Sequence, residues 1–482
     1  MIGIRWARAA IAAALLSLAT TGGAIAASDG AGHEIAGTWE GKLQGALRLV
    51  LHVERAEDGS LRASMDSPDQ GAMGLEIDAI AFAGDSLTFE LRKIGGSYAG
   101  AMNAAGDEIA GEWRQGGIRL PLSLHPQGAE AAPRRPQEPK APFPYRAIDV
   151  SFENSDAPGV TIAGTLTVPE GKGPFPCAVL LTGSGPEDRD ETIFGHKPFW
   201  VLADHLSRHG IAVLRTDDRG VGKSTGAFGL ATSADFASDA RAVVAFLRTR
   251  REIDRKRIGL IGHSEGGLLA PMVASTDRDV AFLVLLAAPG VPGDSILVEQ
   301  AYLVSRSVGA DEETALAQRD VQQRILATAG GTADSAAIAA GIRAVLEQQL
   351  ASLPPERRGS VGDLDEFVSG RVAMLRSPWM QFFLHYDPRP ALEKVRCPVL
   401  ALNGGKDTQV LSIQNLPRIR SALTAGGNRD ATTEELPGLN HLFQTCATGS
   451  VAEYATIEET MAPAALDRIT SWIRARMVPR GR

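Results

Sequence analysis

Residues 257–267 read Arg257-Ile258-Gly259-Leu260-Ile261-Gly262-His263-Ser264-Glu265-Gly266-Gly267. An apolar run of strand length ends in the pattern small residue, any residue, serine, any residue, glycine. In that pattern the chain turns sharply from a strand into a helix with the serine at the apex. Gly262 and Gly266 lack a Cβ, so strand and helix can approach closely and leave the Ser264 Oγ exposed. A serine hydroxyl is a poor nucleophile near neutral pH unless a base takes its proton. The pattern therefore calls for a histidine and an acid elsewhere in the chain.

On either side of this stretch, short buried strands alternate with helical segments. Pro176–Leu181, Gly210–Arg215, Val280–Ala288 and Pro398–Leu402 read as strands, and residues 233–250 as a helix. The alternation predicts an α/β domain over 145–482, with a mainly parallel sheet covered by helices on both faces. Residues from about 292 to 392 interrupt the rhythm. They are rich in Ala, Leu, Gln and Glu at helical spacing, and are expected to form a helical cap inserted between two strands. Their late segment, Pro378-Trp379-Met380-Gln381-Phe382-Phe383, either lines an acyl pocket or packs the cap onto the body.

Upstream the texture changes. Residues 33–125 carry alternating runs such as Leu47–Val53 and Ser86–Leu91, separated by turns at Glu57-Asp58-Gly59, Gly84-Asp85 and Ala105-Gly106-Asp107. This predicts a small all-β barrel or sandwich, with Trp39 and Trp113 in its core. Residues 126–144 hold six prolines and read as a semi-rigid linker. The N-terminus has the form of an export signal over 1–26: Arg5 and Arg8, the apolar stretch Ala9–Leu18, then Ala24-Ile25-Ala26. An uncleaved anchor is the alternative, although that stretch is short for a bilayer. No cysteine follows to carry a lipid. The expected location is periplasmic or secreted, with no stable membrane insertion after cleavage.

At 482 residues the chain exceeds a single core, in keeping with more than one domain. A formal net charge of −8 and the lack of a basic stripe argue against nucleic-acid binding. The three cysteines, Cys177, Cys397 and Cys446, leave at least one thiol free, and Cys177 and Cys397 open strands expected not to be neighbours. No metal-ligand spacing is present, and no cofactor or metal is expected. Nothing in the sequence speaks to oligomeric state.

The acid and the histidine are found downstream. Asp407 follows the strand ending at Leu402, in Asn403-Gly404-Gly405-Lys406-Asp407. His441 follows a short final strand, in Leu436-Pro437-Gly438-Leu439-Asn440-His441. Both lie where open α/β sheets place their sites, outside the carboxyl ends of strands. His263 adjoins the nucleophile but is expected to point away, and His385 lies in the cap. Asp294, Asp217 and Asp218 compete with Asp407, which the post-strand loop favours. Ser264, Asp407 and His441 are the catalytic candidates. In that reading His441 takes the Ser264 proton and Asp407 holds the imidazole tautomer.

A developing oxyanion needs two backbone N–H donors. Glu265, the residue after the nucleophile, supplies one. The turn Thr182-Gly183-Ser184-Gly185-Pro186 supplies the other, with Ser184 favoured over Gly185. Gly222-Lys223-Ser224 resembles the end of a phosphate loop, but the required earlier glycine is Asp217. The acidic run Glu187-Asp188-Arg189-Asp190-Glu191 reads as a solvated loop or as part of the pocket mouth.

With these segments quoted, residues 145–482 resemble the α/β-hydrolase superfamily, and in detail bacterial EstD-type carboxylesterases. The matching parts are the turn at 182–190, Asp217–Ser224, Gly262–Gly267, Asn403–Asp407 and Pro437–His441. The order serine, acid, histidine is that of the superfamily. The resemblance implies a serine esterase acting on short acyl esters, with a small-molecule ester as its partner and an additional N-terminal domain. A serine peptidase of aminopeptidase or dipeptidyl-peptidase type would use the same parts. A third expectation gives the main role to envelope binding by the β domain.

Overall fold

The computed structural model describes residues 34–477 except 44–46, 57–58, 68–71, 116–117, 128–133, 308, 331–333 and 353–363. The expected export segment, 1–26, lies outside the described residues.

The first nine strands are β1 (Gly37–Leu43), β2 (Leu47–Arg55), β3 (Leu61–Ser67), β4 (Ala72–Glu76), β5 (Ala79–Ala83), β6 (Ser86–Leu91), β7 (Gly96–Met102), β8 (Ile109–Gln115) and β9 (Ile118–Pro126). They form one sheet in the order β4-β3-β2-β1-β9-β8-β7-β6-β5, with every pair antiparallel. Alternation drives it: in β6 every second residue is buried. Side chains from both halves share one core, so the sheet folds over on itself, and β3 comes against β5. Trp39 and Trp113 both lie in that core; the Trp39 indole N–H donates to the Ile35 carbonyl at 2.9 Å.

The second sheet has eight strands: β10 (Tyr145–Glu153), β11 (Thr161–Pro169), β12 (Phe175–Leu181), β13 (Ala212–Thr216), β14 (Ile253–His263), β15 (Leu283–Leu286), β16 (Val399–Gly404) and β17 (Ala431–Leu436). Their order is β10-β11-β13-β12-β14-β15-β16-β17. β10 and β11 form an antiparallel edge, and from β13 to β17 every pair is parallel. Helix α1 (Pro198–Arg208) links β12 to β13, α2 (Ser233–Arg248) links β13 to β14, and α3 (Gly266–Ala274) links β14 to β15.

Each central strand is buried on both faces, which is why its sequence is an unbroken apolar run. In β12, Cys177, Val179 and Leu181 face the side covered by α2 and α3, while Ala178 and Leu180 face α1. All three thiols are free, and β14 and β15 stand between β12 and β16.

Residues between β15 and β16 are helical: α4 (Gly293–Ser307), α5 (Glu312–Gly330), α6 (Ser335–Ser352), α7 (Leu364–Leu375), α8 (Pro378–His385) and α9 (Arg389–Leu392). They share a core of their own, and Leu268 of α3 is part of it, so this insertion packs on the helix that follows Ser264. Helices α10 (Ser412–Ala425) and α11 (Pro463–Met477) complete the two faces. Strand order reverses at β12: the chain runs outward to β13 and returns to β14 on the other side. The loops after β12 and β14 therefore border the crevice where open α/β sheets bind ligands.

The proline-rich segment is held more firmly than a spacer. Arg135 donates to four carbonyls of the second unit, those of Phe194, Gly195, Ala455 and Ile457, at 2.8–3.2 Å. Gln137 bridges Thr460 and Met461. Proline composition reports stiffness, whereas docking depends on partners more than 50 residues away. Arg135→Ala is expected to lower stability by about 1–3 kcal/mol. It should also speed cleavage within 134–144, read by limited proteolysis beside a melting curve; an unchanged cleavage rate would refute the docking.

Candidate active site

The turn at Ser264 is imposed by packing. A Cβ at Gly262 would collide with the Gly266 carbonyl, and one at Gly266 with the Leu181 and Thr182 carbonyls. Strand β14, helix α3 and the end of β12 thus meet backbone to backbone. Between the two glycines Ser264 takes up the bend, adopting φ +51°, a left-handed conformation unusual for a side-chain-bearing residue. Its N–H donates to the Leu286 carbonyl at 2.8 Å. Ser264 is half-buried between buried neighbours, and its hydroxyl makes no hydrogen bond among the described residues.

Asp407 and His441 come together from separate loops. His441 Nδ1 donates to Asp407 Oδ2 at 2.8 Å, with both side chains buried. The other carboxylate oxygen accepts the Gln409 and Val410 N–H groups at 2.8 and 2.9 Å. Asn403 Nδ2 adds a fourth tie, 3.2 Å from Oδ2. The two loops can touch because residue 404 is a glycine: a Cβ there would strike the Leu439 and Asn440 carbonyls. The Asn440 side chain then closes the loop on itself through the Leu442 and Gln444 N–H groups.

The turn after β12 packs beside the serine, with the Gly183 backbone close to the Ser264 Cβ. Thr182 Oγ1 donates to Asp218 at 2.8 Å, and the Glu187 N–H to the same carboxylate at 3.0 Å. The Gly183 N–H is spent on Glu191 Oε1 at 2.9 Å. Among the described residues, the Ser184 and Glu265 N–H groups donate to no protein acceptor. The Glu265 N–H also stands at the positive end of α3.

Three features differ from, or were absent from, the sequence reading. The acidic run 187–191 is not a solvated loop. Glu191 is buried under the site, and Arg189 is paired with Asp217 at 2.7 Å. Asp217, occupied by Arg189 and the Lys223 N–H, fills the turn that resembles a phosphate loop. Burial and neighbouring carboxylates push Glu187 and Asp218 well above the usual carboxylate range; in Asp218 the Thr182 and Glu187 hydrogen bonds oppose this.

His263 also has a defined place: it contacts Glu191 through Nδ1 and the His441 carbonyl through Nε2. Glu265 contributes a side chain as well as an N–H. Its Oε1 accepts from Ser233 Oγ at 2.5 Å and from the Trp379 indole at 2.8 Å, tying the helical insertion to the elbow. Trp379 stacks on Phe383 with ring centroids 5.1 Å apart. An indole paired with a carboxylate 114 residues away leaves no local sequence signal.

Burial lifts the Glu265 carboxyl from its ordinary 4.5 to about 7, against the two hydrogen bonds that lower it. An unfolded chain would release this proton first as pH rises. Folded stability therefore falls between the two values, and the loss persists above the higher one. Glu265→Gln keeps the accepting oxygen and removes the ionisation. The variant is expected to be more stable than the parent at about pH 8, by up to roughly 3 kcal/mol, with no gain near pH 4.5. Urea midpoints at the two pH values check this, and an equal shift at both would exclude the ionisation as its cause.

Comparisons with known proteins bear on the same region. The family described as serine aminopeptidase, S33, matches residues 199–327. Esterase EstD of Thermotoga maritima is 30% identical over 261 residues, covering 54% of this chain and 53% of that protein. The chain thus spans about half the length of this curated relative. Among solved structures, the Pyrococcus furiosus esterase Pf2001 aligns with 16% identity and a TM-score of 0.40, over 73% of this chain and all of that one. The α/β hydrolase GrgF from Penicillium sp. sh18 aligns with 18% identity and a TM-score of 0.41, over 69% of this chain and all of that one.

Proposed function

We propose that this chain, an α/β-hydrolase similar to Esterase EstD, is an exported serine carboxylesterase that cleaves short acyl esters through an acyl-enzyme. The observation that carries the reading is a strained, half-exposed Ser264 flanked by two unspent N–H donors, with a buried Asp407–His441 pair on the adjoining loops. Export rests on the form of residues 1–26.

In the proposed reaction His441 Nε2 takes the Ser264 proton as Oγ bonds to the ester carbonyl carbon. The carbonyl oxygen becomes an alkoxide held by the Ser184 and Glu265 N–H groups. Collapse breaks the bond to the alcohol oxygen, which receives the proton from His441 and leaves. A water then attacks the acyl-enzyme by the same route, returning the proton to Ser264. Asp407 holds Nδ1 protonated, so that Nε2 faces the serine as a base. The helical insertion acts as the cap, and its Trp379–Glu265 contact supports a compact acyl pocket.

Ser264→Ala is expected to abolish hydrolysis of p-nitrophenyl acetate. Asp407→Asn is expected to lower kcat by about 10⁴-fold, because the amide favours the wrong imidazole tautomer. An acyl series from acetate to decanoate should show kcat/KM falling with length. Turnover of aminoacyl-p-nitroanilides alone, lost in Ser264→Ala, would replace the esterase reading with the peptidase one.

A further inference from the structure

Two side chains buried beneath the site play no part in the chemistry above. Glu191 is 3% exposed and His263 6%. Glu191 Oε1 accepts from the Gly183 N–H and from His263 Nδ1, each at 2.9 Å. The opposite ring nitrogen, His263 Nε2, donates to the main-chain carbonyl of His441 at 3.0 Å. The two imidazoles lie with their centroids 4.8 Å apart. Glu191 is held at φ +53°, a conformation that a glutamate keeps only when its surroundings over-determine it.

We propose that Glu191 and His263 are positioning residues, a second acid–imidazole pair that locks the oxyanion turn to the loop carrying His441 through one carboxylate oxygen. The inference rests on the ester-hydrolysis reading above. Gly183 is the residue before Ser184, so anchoring its N–H on Glu191 sets the direction of the peptide that presents the Ser184 donor. His441 is tied at both ends: Asp407 holds the ring, and His263 holds the carbonyl. Without the second tie the loop keeps its internal Asn440 bonds and the Asp407 contact, but the His441 main chain loses its anchor to the residue before the serine, and the position of Nε2 relative to Ser264 is no longer fixed.

The carbonyl of His441 can only accept, so His263 Nε2 carries a proton. Burial opposes charge on His263, but the Glu191 carboxylate and the His441 carbonyl outweigh it and raise its pKa above the ordinary value. That favours the doubly protonated ring in which both nitrogens donate.

Two amides dissect the pair. Gln at 263 can place an N–H near the position of Nε2 and keep the donor to His441; Asn can place one near Nδ1 and keep only the contact to Glu191. With p-nitrophenyl acetate, His263→Asn is expected to lose about 10²-fold in kcat with KM changed less than about threefold, the signature of misplaced reacting groups. His263→Gln should recover about tenfold of that loss, and Glu191→Gln, which keeps an oxygen for Gly183, should fall between them.

Equal kcat values for the Asn and Gln variants, or losses confined to KM, would overturn the proposal. Loss of the soluble fold in all three would overturn it too, since the pair would then support the domain rather than the site. Ser264→Ala runs in the same assay. If it is inactive while these variants keep full kcat, only the positioning role fails; if it retains turnover, the esterase reading fails.

Discussion

Strand β14 and helix α3 meet at Gly262 and Gly266 with no room for a Cβ at either position, and the end of β12 presses on the same point. That three-way contact sets the backbone between the glycines. Ser264 is forced to a positive φ, its N–H is drawn to Leu286, and its hydroxyl is left half-exposed above buried neighbours. It also brings the turn after β12 beside the serine, where the Ser184 and Glu265 N–H groups have no acceptor among the described residues. Gly404 repeats the arrangement two strands away, letting the Asp407 loop and the His441 loop cross in contact.

Around this backbone frame the protein buries the carboxylates of Glu191, Asp217, Glu265 and Asp407, with Asp218 half-buried beside them. Desolvating a carboxylate is costly unless hydrogen bonds or a cation offset it. Each of these is engaged, and most of the partners are backbone N–H groups or donors on other loops. The buried acids therefore work as fasteners between segments distant in sequence. Asp218 fastens the β12 turn, Glu191 joins that turn to the residue before the serine, and Glu265 joins the elbow to the helical insertion.

How much was legible in advance followed from the range of the interaction involved. The elbow could be read because its determinants, two glycines and a serine behind an apolar strand, lie within a few residues. Asp407 and His441 could be selected because each sits on a short loop directly after a strand, and they stand in hydrogen-bond contact. Of the two readings of the acidic run 187–191, a solvated loop or part of the pocket mouth, the solvated one fails because charge alone reports polarity. Whether a carboxylate faces water or a buried imidazole depends on what folds over it, here His263 across 72 residues. Arg135 was hidden for the same reason: one of two adjacent arginines in a proline-rich stretch carries no sign of the four carbonyls that receive it.

The sequence by itself determined the alternation of strands and helices, the position of the sharp turn, and which residue types stand at the strand ends. These are local consequences of side-chain period and of missing Cβ atoms. Only the tertiary structure decided that β12 and β14 are neighbours, that one Glu191 oxygen serves both Gly183 and His263, and that Trp379 reaches Glu265. Those contacts join groups on separate loops and strands, up to 114 residues apart. Their partners are chosen by the order in which strands pack into the sheet, which no short stretch of sequence encodes.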